Sequence, residues 1–284
     1  MHVRYKLREP EGLVIPRGPN FSRAHTITCD IDGTNIQFNA PKHRPRYKNH
    51  KQIHPLAYYK LDEMIFRSNY DEQFKVSDNW ETIDLFHRSW AFNGPWFTGT
   101  LAELLMYITL VKPVNYDKMD FSLFNPRAFE NIVADYLTNQ FSRYIDNDNG
   151  KHHYLTPVDW TPLNHLPVVA VRLQVVPDET VTYSTIRHFV FFPITDHIMA
   201  YLHFIPIQQG NSSQKELDNR VSRAPMYELM DKIIDSLQLK LSPEAQAQQK
   251  AALDGLEDTS LVKEFLPLKW ENIKQDSELK KLEI

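Results

Sequence analysis

The sequence predicts an α+β protein built from antiparallel β-sheets flanked by amphipathic helices. Three observations predict this class: alternating apolar residues around a short turn near the start, three consecutive strand-like segments in the second half, and apolar residues at helical spacing on either side of those segments. The chain has 284 residues, 42% of them hydrophobic and 24% charged, which are proportions typical of a globular protein. Folding at this length buries roughly three quarters of the unfolded chain's surface, so stability requires neither a metal nor a disulfide.

Two hairpins are predicted in the first half. Segment 27–38 alternates apolar and polar residues around the two-residue turn Asp32-Gly33. Segments 83–92 and 104–111 are rich in aromatic and aliphatic residues and flank Asn93-Gly94-Pro95, which indicates a second hairpin. The start of the later segment is also compatible with a helix, because a short apolar run has no decisive period.

A helix is predicted over 126–145. Asn125 is a good N-cap residue, Pro126 suits the first helical position, and the apolar residues that follow recur on one stripe. The turn-rich segment 146–150 ends this pattern. We therefore divide the chain into a β-rich region, 1–124, and an α+β region, 125–284, and the sequence leaves open whether they form one continuous domain.

The second region contains three predicted strands followed by two helices. Segments 168–176, 184–192 and 198–205 are rich in β-branched and aromatic residues and are separated by turn residues, which favours an antiparallel sheet. Apolar residues from Met226 to Leu237 have helical spacing, so this helix is expected to cover one face of that sheet. Ser242 and Pro243 begin a peripheral helix, which a charged tail follows.

This order of elements resembles PsbP-like and DcrB-like domains. The stretch Thr185–Pro193, the strand 199–205 and a closing helix that includes Asp231–Leu237 are similar to the end of those domains, and the resemblance covers residues 125–240. It implies an α/β/α sandwich and, since members of that superfamily are mostly non-enzymatic binding proteins, a role in binding. The long N-terminal half departs from the family, and no functional residue is carried over.

The loop 41–55 is strongly basic and contains no acidic residue. Residues 1–60 hold 11 Lys and Arg against 4 Asp and Glu, a net charge of +7, whereas the rest of the chain carries −11. Clustered cations repel each other, so an anionic partner would stabilise them. The partner-binding candidates in this loop are Lys42, Arg44, Arg46, Lys48 and Lys51.

Three interpretations of the basic loop are open. It is a hydrated loop that faces the protein's own acidic remainder, or it recognises another protein, or it binds nucleic acid through residues 42–51. Nucleic-acid binding is disfavoured because the rest of the chain is acidic. Two tryptophans, Trp96 beside Pro95 and Trp270 in the charged tail, are further candidates for contact with a partner, because tryptophan is enriched at interface anchor points.

Reactive centres are not indicated by any motif. Asp196, His197 and His203 are the nearest approach to a metal-ligand set, but zinc sites need three or four ligands, and no paired spacing such as His-Glu-x-x-His occurs. Cys29, on the apolar face of its hairpin, is expected to be an inert thiol. We predict no catalytic residue, no metal and no cofactor.

The function predicted is non-enzymatic binding of another protein, in a bacterial adaptor, chaperone or immunity-type role. The alternative is a hydrolase whose site is assembled from dispersed His, Asp and Glu residues. The start of the chain lacks the apolar core of a signal peptide, and no run approaches the roughly 18 apolar residues that span a membrane, so we expect a cytoplasmic protein. The partner's identity and the oligomeric state do not follow from the sequence.

Overall fold

A computed structural model describes residues 12–47, 49–71, 76–114, 120–146, 150–178, 185–210 and 214–270. Within these ranges the α+β class is confirmed: antiparallel sheets are flanked by helices. The strands are β1 (His25–Ile31), β2 (Thr34–Ala40), β3 (Tyr58–Tyr59), β4 (Arg67–Asp71), β5 (Val76–Asn93), β6 (Thr100–Pro113), β7 (Tyr154–Pro162), β8 (Val171–Pro177), β9 (Arg187–Pro193), β10 (Met199–Gln208) and β11 (Gln238–Lys240). The α-helices are α1 (Pro126–Phe141), α2 (Gln214–Arg220), α3 (Ala224–Asp235) and α4 (Pro243–Leu253).

The strands form two sheets. The smaller has the order β11-β2-β1-β3, and the larger has the order β4-β5-β6-β10-β9-β8-β7. Neighbouring strands are antiparallel except for the short pair of β1 and β3. Both sheets combine strands from the two sides of position 125, because β11 joins the smaller sheet and β10 lies directly beside β6.

The first hairpin turns at Asp32-Gly33, as predicted. Asp30 Oδ1 accepts a hydrogen bond from the Gly33 N–H at 2.9 Å, and Gly33 has a φ of +83°, which glycine adopts without strain. The carboxylate of Asp32 accepts hydrogen bonds from the Tyr58 hydroxyl and the Leu61 N–H, at 2.9 and 2.7 Å. Both aspartates therefore stabilise the turn and its neighbours.

The predicted helix after Asn125 forms, with a different end. The Asn125 side chain accepts hydrogen bonds from the N–H groups of Arg127 and Ala128, which is the geometry of an N-cap. Helix α1 ends at Phe141 and not at 145. The helix ends early because the backbone of Ile145 pairs with His152 in a β-bridge, which draws the chain out of the helical path.

The larger sheet separates two hydrophobic cores. One face packs against the smaller sheet and α3, and this core includes Phe38, Trp90 and Met230. The opposite face packs against α1, and that core includes Phe129 and Phe191. The chain is therefore layered as α1, large sheet, then α3 with the small sheet.

The outer edge of β5 is paired along much of its length. β4 pairs with the first part of β5, and single residues of three other segments then continue the pairing: Ile53 with His87, Arg44 with Ser89 and Ala91, and Arg17 with Asn93. The basic loop is thereby bound to the edge of the sheet.

Within the described ranges, no helix combines the length and the apolar character needed to cross a membrane.

Candidate functional site

The turn between β5 and β6 presents two aromatic side chains. Trp96 is 81% exposed and Phe97 is 44% exposed, although large apolar side chains are normally buried in a folded domain. Their ring centroids lie 6.5 Å apart. The turn therefore displays a small apolar patch at one end of the large sheet.

Hydrogen bonds hold this turn in one conformation. The Gly94 N–H donates to the Gly99 carbonyl at 2.9 Å, and the Thr98 N–H and hydroxyl donate to the Pro95 carbonyl at 3.1 and 2.7 Å. Thr98 is buried, and a Cβ added at Gly94 would overlap the side chains of Thr98 and Leu101. The backbone that carries Trp96 and Phe97 is thus held in place by the turn itself.

Phe97 adopts a backbone conformation that its side chain disfavours. Its φ is +65°, in the left-handed region, where a Cβ crowds the following carbonyl at a cost of roughly 1–2 kcal/mol. Strained residues of this kind cluster at functional sites and persist only where the surrounding structure holds them in that conformation. Phe97 was not predicted from the sequence as a site residue; its position directly after Trp96 in a tight turn was the available signal.

The segment at the beginning of the described chain lies beside this turn. Arg17 and Asn93 exchange backbone hydrogen bonds of 2.8 and 2.9 Å in an antiparallel bridge. Chain direction then places Ile15 alongside the turn that follows Asn93. Leu13 and Ile15, which precede Arg17 in this segment, are exposed.

The basic loop is bound next to the same turn. The Arg44 N–H donates to the Ser89 carbonyl at 3.0 Å, and the Arg44 carbonyl accepts from the Ala91 N–H at 2.8 Å. The Arg46 N–H donates to the buried carboxylate of Glu103 at 3.0 Å. These contacts place Arg44 beside Ser89 and Ala91 of β5, which are four and two residues before Asn93. We call Arg17, Arg44, Arg46, Tyr47, Trp96 and Phe97 the aromatic-basic surface.

The cations of the loop are not neutralised by acidic side chains of the described chain. Lys42, Arg44, Arg46 and Lys51 form no ion pair there. The Arg46 guanidinium instead hydrogen-bonds the side chain of Gln209 and lies over the Tyr47 ring, 4.7 Å from its centroid. The nearby acid, Glu103, contacts the backbone of the loop and the His50 ring, whose Nδ1 lies 3.7 Å away. The predicted residue Lys48 lies outside the described residues.

Trp270 lies far from this surface in the fold. Its indole N–H donates to Thr138 Oγ1 on α1 at 3.2 Å, and its ring contacts that of His152 edge-on at 5.2 Å. The tail that carries Trp270 runs beside β7, because the Leu268 N–H donates to the Thr156 carbonyl at 2.8 Å. Strand β7 is one edge of the large sheet, and β4, which pairs with β5, is the other edge. The structure groups Trp96 with the basic loop and places Trp270 in a half-buried packing position.

The histidine and cysteine candidates are separate from one another. His203 stacks on Phe189 with ring centroids 4.2 Å apart, whereas His197 lies in the turn before β10. In the part of the chain that the structure describes, no group of three or more His, Cys, Asp or Glu side chains is arranged to hold a metal. Burial, followed by the charge of Asp30, raises the pKa of the Cys29 thiol to about 12, so this thiol is a poor nucleophile.

An open cavity of about 550 Å³ lies at the start of α1. Its lining includes Asp120, Phe121, Asn125 and Ile132. Among the described lining residues Asp120 is the one titratable group, and a hydrolytic site would bring several such groups to the reacting atoms. Comparison with known proteins gives no match of this chain to a family model, to a curated protein or to a solved structure.

Proposed function

We propose that this protein is a cytoplasmic, non-enzymatic protein-binding protein, of the bacterial adaptor, chaperone or immunity type, and that it binds its partner through the aromatic-basic surface. The observation that carries this proposal is the hydrogen-bonded, strained turn that exposes Trp96 and Phe97 near loop cations that have no acidic partner among the described residues. Rigid aromatic residues make strong interface anchors because little conformational entropy is lost when they bind.

The chemistry of the surface defines the partner. An acidic surface segment would neutralise Arg44 and Arg46 and accelerate association, since complementary charges steer encounter. An apolar recess in the same segment would receive Trp96, which is largely hydrated in the free protein. We therefore propose an acidic protein with a hydrophobic pocket as the partner.

Nucleic-acid binding through residues 42–51 has weaker support. Sheet proteins that bind single strands use exposed ring faces on which bases stack. Here the rings on the sheet stack on each other: His87 on Tyr107 at 4.4 Å, and His203 on Phe189 at 4.2 Å. Those ring faces are already occupied by protein.

We also propose that residues 125–240 have a PsbP-like scaffold. It is supported by the order of α1, β8, β9, β10 and α3 within residues 125–240, which is the order that the resemblance implies. Strand β7 and helix α2 are additional elements within this range.

The proposal is tested by partner capture followed by measured affinity. The full-length protein, W96A, W270A and an R44A/R46A double variant are used as bait in the native cells, and each recovered acidic protein is purified and titrated by calorimetry. We expect W96A to weaken binding by about 30-fold or more, the loss typical of an interface hot spot, and R44A/R46A to lower the association rate most at low salt.

The matched control is I65A. Ile65 is 75% exposed and lies next to β4, which pairs with the first part of β5, away from the aromatic turn. Equal affinities for W96A, I65A and the unchanged protein contradict the proposal. Retention of nucleic acid that is lost in R44A/R46A and falls steeply with salt supports the alternative instead.

A further inference from the structure

Arg88 is a buried arginine that has no carboxylate partner among the described residues. It lies on β5 with 2% of its surface exposed, and no acidic side chain of the described chain pairs with it. Its Nη1 donates to the Pro41 carbonyl at 2.8 Å, and its Nε has no hydrogen-bond partner in the part of the chain that the structure describes. Buried arginines are usually paired with an anion, because an uncompensated charge is costly to remove from water.

Two histidines face the Nη2 amino group of this guanidinium. Arg88 Nη2 lies 3.1 Å from His25 Nε2 and 3.4 Å from His54 Nδ1. A guanidinium can only donate hydrogen bonds, so the two nitrogens that face it are unprotonated acceptors. The ring protons are therefore on His25 Nδ1 and His54 Nε2, the nitrogens that point away from Arg88.

This arrangement collects positive charge at one place on the surface. His25, His54 and Lys42 are exposed, whereas Arg88 lies behind the two imidazoles. Burial, followed by the charge of Arg88, lowers the pKa of both histidines, and Lys42 contributes to the effect at His25. Among the described groups that act on these two rings, Arg88, Lys42 and His43 are all basic.

We infer that His25 Nδ1–H, His54 Nε2–H and the Lys42 ammonium form a binding site for a phosphate-class oxyanion in front of Arg88. Three outward donors match the several oxygens of a tetrahedral oxyanion better than the two oxygens of a carboxylate. The bound anion would supply the negative charge that Arg88 lacks. This site shares no residue with the aromatic-basic surface, and its occupancy is measurable without any protein partner.

The site is tested by calorimetric titration of the full-length protein with inorganic phosphate at pH 7, with sodium chloride at matched ionic strength as the reference. We expect saturable binding that K42A and H54A each weaken about tenfold, the effect of losing one charge-assisted hydrogen bond. Exposed residues elsewhere, Lys240 and His165, provide the matched controls K240A and H165A, which should retain full affinity.

A second measurement is independent of these variants. Nitrogen-15 NMR of the histidine rings is expected to show protonated Nδ1 at His25 and protonated Nε2 at His54, both shifted by phosphate. Titration with phosphoserine distinguishes the source: a preference for phosphoserine assigns a phosphorylated ligand, and a preference for inorganic phosphate assigns the free ion. The proposal is overturned if phosphate has no effect beyond that of chloride, if acetate binds equally well, or if K240A loses as much affinity as K42A.

Discussion

The buried carboxylate of Glu103 accepts a hydrogen bond from the backbone N–H of Arg46, at 3.0 Å, and so joins the middle of the basic loop to β6. We predict that E103A lowers the free energy of unfolding by roughly 1–3 kcal/mol, because it leaves a partly buried N–H without an acceptor. E103Q should cost less, since its amide oxygen can still accept. Urea denaturation measures both, and equal stability of E103A and the unchanged protein would contradict the assignment.

Backbone strain at Phe97 is measurable by comparing two variants. F97G and F97A both remove the ring, but only glycine adopts a φ of +65° freely. We predict that F97G is more stable than F97A by about 1 kcal/mol and that both recover less partner. The difference in the urea midpoint tests this, and a less stable F97G would show that this turn is unstrained.

We predict that His188 makes the stability of this protein depend on pH. Its ring is buried, both ring nitrogens lack a hydrogen-bond partner among the described residues, and burial, followed by the charges of Arg172 and Arg223, lowers its pKa to about 4. The unfolded chain, with an ordinary pKa of 6.5, therefore binds the proton more tightly than the folded chain does. Stability is complete above pH 6.5 and falls by roughly 3 kcal/mol as the pH is lowered to about 4.

The variant H188L isolates this effect. It removes the titrating ring, so its free energy of unfolding should fall less steeply between pH 6.5 and 4 than that of the unchanged protein. The exposed His165 gives the control H165L, whose slope should not differ from the unchanged protein. Identical slopes in all three proteins, measured by urea denaturation at several pH values, would refute the prediction.

Trp270 and Thr138 form a pair suited to a double-mutant cycle. W270F removes the indole N–H but keeps an aromatic ring against α1, and T138V removes the hydroxyl that accepts it. We predict a coupling energy of about 0.5–1.5 kcal/mol, the net value of one hydrogen bond. Additive effects in thermal unfolding would mean that the tail does not rest on α1 in solution.

Elements with a local signal were predicted from the sequence. The turn at Asp32-Gly33, the N-caps Asn125 and Ser242 and the apolar stripe of α3 each depend on residues close together in the chain. Short strands had no such signal: β11 consists of Gln238–Lys240 and exists because Leu239 pairs with Ile36, about 200 positions earlier. Strand β7 was missed because register shifts interrupt its alternation.

The functional surface was only partly predictable for the same reason. Charge density identified the basic loop, and a turn next to Pro95 identified Trp96, but the pairing of Arg17 with Asn93 is non-local. The burial of Arg88 did have a signal in the sequence. Arg88 shares one face of β5 with Phe86 and Trp90, because every second residue of a strand points to the same side. The sequence therefore already indicated a charged residue on an apolar face.

Four successive segments pair with the outer edge of β5, and this pairing determines how other molecules can bind at that edge. A β-sheet edge with open N–H and C=O groups is a template on which an extended peptide, or another copy, adds as an extra strand. Along the stretch from His87 to Asn93 those groups are engaged by Ile53, Arg44 and Arg17. Contacts at this edge therefore depend on side-chain identity, which opposes indiscriminate edge-to-edge fibril growth while leaving selective recognition intact.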